Sequence, residues 1–134
     1  MMKKIQYVPL RKGQVDKYLE MAKRENAYPI IYIGLQCGLR QSELISLPWA
    51  AVDFSERVIR GKHHAVDLDE ESERLLRTEQ AAHPNSDTVF VHPRAGKAYA
   101  GHQLYSLHCK LCDLARISDV SFLEMQFVWR MEQR

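Results

Sequence analysis

This chain of 134 residues has few cysteines, few helix breakers, no long apolar run and no strong charge of either sign. Three cysteines, an odd number without an apolar leader, do not make a disulfide scaffold; they point to a reducing compartment and a cytoplasmic protein. The longest apolar stretch, from Pro29 to Leu35, falls far below the roughly 20 residues that a membrane-spanning helix needs. Nothing here calls for a membrane. Six glycines and five prolines are too few for a low-complexity or fibrous chain. A net charge of +2 falls well short of the excess that binds a polyanion by charge alone.

Distribution of charge says more than its total. Residues 1–64 carry eleven Lys or Arg against six Asp or Glu, +5, whereas residues 65–134 carry eight against eleven, −3. A docking polyanion is therefore expected to meet the first half. The length suits one domain with a real core, and none of it reads as a repeat or linker.

Val15, Tyr18, Leu19 and Ala22 recur at helical spacing and predict an amphipathic helix over 11–26. Pro29 suits the first turn of a second, more apolar helix, which Gly38 caps. A short helix from Ser42 to Leu47 stops before Pro48. Arg57 to Arg60 and Ala65 to Leu68 form a predicted hairpin whose turn contains Gly61 and presents Lys62. Further on come a charged helix over 69–79 with Leu75 and Leu76 inward, a short strand over 88–92, and a helix over 101–116 with Leu104, Leu107, Leu111 and Leu114 as its stripe. A last helix opens near Ser121. The expected class is α+β, mostly helical, with a small antiparallel β hairpin or sheet.

Gly38-Leu39-Arg40-Gln41-Ser42-Glu43-Leu44, followed by Leu47, Pro48 and Trp49, carries the chemistry. It sets one arginine at a helix junction, with a carboxylate three residues on to orient it, a suitable device for gripping a phosphodiester. Trp49 is most simply core, and Cys37 is expected to be buried. The run resembles the first active-site box of tyrosine recombinases, or phage integrases, whose pattern is Gly-Leu-Arg-x-x-Glu-Leu, with five of its residues present here. Asp87 to Phe90 and Arg116 to Ser118 resemble further short segments of that family's catalytic domain.

The resemblance implies that fold over the whole chain as a single domain, with double-stranded DNA as partner. It assigns Arg40 and Lys62 as the catalytic-type phosphate contacts and Glu43 as support. Arg57, Arg60 and His63 complete the expected DNA-binding set; no cofactor, metal or small-molecule substrate is implied. The family's separate N-terminal DNA-clamping domain is not expected in this chain.

The second box departs from the pattern. Where the family has His-x-x-Arg-His, the residues are Leu123, Glu124, Met125, Gln126 and Phe127, so both histidines and the arginine are replaced. The family's nucleophilic tyrosine lies about one long helix further on, beyond Arg134, and Tyr99 and Tyr105 precede the box. An inactive DNA-binding domain of a phage or mobile-element integrase is therefore expected. Two alternatives stand beside it: a piece of an active integrase, and a protein-interaction module. The apolar run Phe122, Leu123, Met125, Phe127, Val128, Trp129 and Met131 either packs into the core or joins copies of the chain, as the family's C-terminal helices do. Cys109 and Cys112 have the spacing of a half zinc site but lie on a leucine-striped helix without a second pair.

Overall fold

Tyr28–Cys37 (α2) is the central element because it is apolar on nearly all sides: Ile30, Ile31, Tyr32, Ile33, Leu35 and Cys37 are all buried. The structure is a computed structural model that describes residues 12–132 except His63. Around α2 pack Lys12–Arg24 (α1), Glu70–Ala82 (α4) and Phe122–Glu132 (α6), while Gln41–Ile45 (α3) lies against Gly101–Leu114 (α5) and α1 also packs on α5. Trp49–Ala51 forms a single 3-10 turn. Tyr18, Ile31, Leu44, Leu76, Leu104, Leu111 and Phe122 fill one continuous core.

Closeness at one point sets the helix packing. A methyl group on Gly34 of α2 would lie 2.7 Å from the ring of Phe122 and 2.8 Å from Leu44, so α3 and α6 both reach α2 where it has no side chain. On α6, Trp129 donates its ring N–H to Gln36 Oε1 at 2.9 Å and meets the Tyr32 ring edge-on. At the start of α4, Asp69 caps the helix by accepting the Ser72 N–H at 3.0 Å, and it also accepts the Tyr32 hydroxyl at 2.5 Å.

The sheet has three strands, Val52–Asp53 (β1), Val58–Arg60 (β2) and Ala65–Asp67 (β3), in antiparallel order β1-β2-β3. The expected hairpin is the β2–β3 pair, in register Arg60↔Ala65, and β1 adds to its edge through Val52↔Ile59. Residues 88–92 do not form the expected strand. They make two isolated bridges, Pro48↔Thr88 and Val91↔Ala98. The stripe on α5 also needs correction, since Leu114 is 43% exposed and the buried face is completed by His108 and Cys112. Leu114 sits in the last turn, rotated past the edge of the core. Among the described residues no helix is long and apolar enough to cross a membrane.

Candidate nucleic-acid interface

Between two anchored leucines the chain has little choice about Arg40. Leu39 is 2% exposed and Leu44 is fully buried, so the residue between them at the start of α3 is turned to solvent. Gly38 takes the left-handed conformation (φ 65°) that ends α2, and Arg40 is extended (φ −63°, ψ 152°) as the first residue outside α3. Glu43 accepts the backbone N–H of Arg40 in a long contact of 3.4 Å. An arginine side chain has no acceptor to return the favour, so only that half of a capping box forms. Glu43 thus holds Arg40 by its backbone rather than by pairing with the guanidinium.

The hairpin meets this junction. A Cβ on Gly61 would lie 3.6 Å from Glu43 Oε2 and 2.9 Å from the carbonyl of His64, so the turn needs glycine and abuts the carboxylate. Lys62 follows directly, exposed. Among the described residues neither Arg40 nor Lys62 has an acidic partner. Arg57 and Arg60 differ, being paired with Glu73 at 3.6 Å and Asp53 at 3.2 Å. The backbone N–H of Glu56, and then Arg60, hold the Asp53 carboxyl below its ordinary range. His63 lies outside the described residues.

From the other side comes α6. Gln126, at the position where the resemblance sets the second-box arginine, is buried and gives both amide hydrogens to backbone carbonyls, Gly34 O at 2.8 Å and Leu39 O at 2.7 Å. One turn later, Arg130 lays its guanidinium over the first box: Nη2 would be 2.8 Å from a Cβ on Gly38. Sequence reasoning passed over Arg130, although its spacing of four from position 126 puts the two on one helix face. Leu123 and Phe127, at the two histidine positions, point outward at 71% and 64% exposure.

The cysteine segment serves the core. Cys109 is exposed and Cys112 buried, and among the described residues no three His, Cys, Asp or Glu side chains gather as a metal would require. His108 instead bridges elements: its Nε2 lies 2.7 Å from the carbonyl of Val120 and its Nδ1 2.7 Å from the Tyr18 hydroxyl. A carbonyl only accepts, so the proton is on Nε2 and the Tyr18 O–H donates to Nδ1.

Solved recombinases share this architecture. The XerA recombinase matches with TM-score 0.78 at 21% identity, over 94% of this chain and 50% of its own. The Tn1549 transposon integrase (residues 82–397), solved with circular-intermediate DNA, gives 0.79 at 17%, over 98% and 54%. The XerH site-specific recombinase, solved in a pre-cleavage complex with its difH substrate, gives 0.70 at 19%, over 99% and 44%. These neighbours are tyrosine recombinases, and the chain has their fold while spanning about half their length. No family model and no curated protein matches the sequence.

Proposed function

We propose that this chain, built on the tyrosine-recombinase fold, is a DNA-binding integrase-like domain of a phage or mobile element that holds duplex DNA by its backbone and does not cut it unaided. The observation that carries this reading is the convergence of unpaired cations on one junction, Arg40 from the first box and Lys62 from the hairpin turn, with Glu43 between them fixing the backbone. Arg57, just ahead of β2, and Arg60 on β2 flank that grip, and His63 completes the proposed DNA-binding set. Phosphate contacts of this kind carry no sequence information, so specificity is weak and salt dependence steep. A reducing compartment such as the cytoplasm suits the free cysteines.

Strand cleavage asks for more than a grip. Charge building on the phosphorus must be met by several preorganised donors, and removing one typically costs a factor of about 10² to 10³. Leu123 and Phe127 offer none, and the amide hydrogens of Gln126 are both spent on the backbone. Fluorescence anisotropy with a labelled duplex at several salt concentrations tests binding: the parent binds at low salt, and Arg40→Ala and Lys62→Ala weaken it. Absence of binding at low salt overturns the proposal. A covalent protein-DNA adduct on a nicked suicide substrate overturns the second half of it.

A second reading, self-association, has its own observation. Leu123, Phe127 and Met131 line the outer face of α6 at 71%, 64% and 51% exposure, while Phe122 and Met125 on its inner face are core. Light scattering on Leu123→Glu/Phe127→Glu against the parent decides it, since these changes leave the packed face intact. A parent that is monomeric at high concentration removes this reading.

A further inference from the structure

We infer that Arg130 is a second guanidinium of the backbone grip, bracketing with Arg40 a single phosphodiester of bound duplex DNA. The inference rests on the DNA reading above and adds to it a side chain from a different helix. Three observations lead there.

The first is position. The Arg130 guanidinium lies across Gly38, where a Cβ would be only 2.8 Å from Nη2. Two residues of chain span at most about 7 Å, so the Arg40 backbone lies no more than about 12 Å from that guanidinium, near enough for the two side chains to reach one anion between them. Glycine at 38 therefore has two reasons to be there: a left-handed cap for α2 and open room for a neighbour's cation.

The second is orientation. Arg130 follows two side chains that peg α6 to the end of α2, Gln126 on the Leu39 carbonyl and Trp129 on Gln36. It is carried on a fixed helix rather than swinging from a loop. The partial negative charge at the end of α2 favours a cation at that spot before any ligand arrives.

The third is unmet donor capacity. Each guanidinium has five N–H donors and no acceptor of its own. Among the described residues neither Arg40 nor Arg130 has a hydrogen-bonded side-chain partner or an ion pair. Two like charges repel when they approach each other, and an anion set between them reverses the sign of the interaction. A phosphodiester, with two non-bridging oxygens, matches two planar forks.

The test is a double-mutant cycle on duplex binding, read by anisotropy across a salt series. Arg130→Gln should bind roughly tenfold more weakly at low salt, the usual loss for a charge-assisted hydrogen bond. Its slope of log affinity against log salt should fall by about 0.9, one phosphate charge. Arg130→Lys, which keeps the charge but not the fork, should fall between. The Arg40→Gln/Arg130→Gln pair should lose less than the sum of its single changes.

If Arg40→Gln weakens binding while Arg130→Gln keeps the parent's affinity and slope, the role of Arg130 is overturned and the DNA reading survives. Additive losses overturn the shared phosphodiester. If the parent does not bind at low salt, both fall together. Equal melting temperatures for parent, Arg130→Gln and Arg130→Lys are the expected control; a large drop confined to the Gln variant, with Arg130→Lys also keeping parental DNA affinity and slope, would make Arg130 a cap for α2 and overturn the inference.

Discussion

Gln126 and Leu39 are joined by a buried hydrogen bond of 2.7 Å, from the side-chain amide of α6 to the carbonyl just ahead of Arg40. Gln126, where the resemblance sets the second-box arginine, thus holds the backbone just ahead of Arg40. Replacing it with leucine fills the space but strands the Leu39 carbonyl, and Gly34 O keeps only its bond from Gly38 N–H at 3.2 Å. Gln126→Leu is expected to destabilise the chain by about 1–3 kcal/mol. Urea denaturation followed by circular dichroism measures it, and an unchanged midpoint refutes the structural role.

Gly34→Ala puts a methyl 2.7–2.8 Å from Phe122 and Leu44, both buried, so one of them has to leave its seat. The expected loss is about 1–3 kcal/mol, the usual range for overpacking. A compensating Phe122→Leu should restore part of it in the same denaturation assay.

Acid should weaken the fold in two stages. Burial chiefly lowers the pKa of His108 from its ordinary 6.5, opposed in part by the Val120 hydrogen bond. A lowered histidine means the unfolded chain takes up the proton first, so this contribution is complete above about 6.5 and lost as pH falls through that range. Asp69 follows at lower pH. Burial pushes its carboxyl up, but hydrogen bonds from Ser72 and Tyr32 outweigh it and hold the carboxyl below 3.8. Its stabilisation is present above that value and lost as pH falls toward the depressed one. Denaturation midpoints measured from pH 8 to 5 should decline in the parent and decline less in His108→Gln.

Among the basic residues of the first half, pairing should grade the effects on DNA affinity. Arg57 and Arg60 already have Glu73 and Asp53 as partners, so a phosphate must compete for them. Arg57→Ala and Arg60→Ala are expected to weaken duplex binding less than Arg40→Ala does. The reverse order, in the same anisotropy series, would relocate the grip to the sheet.

Much of the fold was legible because its signals are local. The apolar run of α2 with its closing glycine, the acids opening α4 and the glycine turn before Lys62 each fix backbone choices within a few residues, and the helices fall where those signals put them. Misses arose where distant partners decide. Residues 88–92 have strand chemistry but find only bridging partners, and Leu114 continues a stripe past the point where the core ends. His108 adjoins Cys109 in the sequence, yet its partners Tyr18 and Val120 lie 90 and 12 positions away. The Gly38-to-Leu44 motif announced Arg40, whereas Arg130 became visible only once α6 was laid over Gly38.

Residue 34 has no side chain, and that vacancy is what lets the last helix dock through Phe122 while its outward positions stay unengaged. Substitution at 123 or 127 leaves the docking seat untouched. A scaffold arranged this way can accept new side chains on the outer face of its last helix while the junction that bears Arg40 stays where it is.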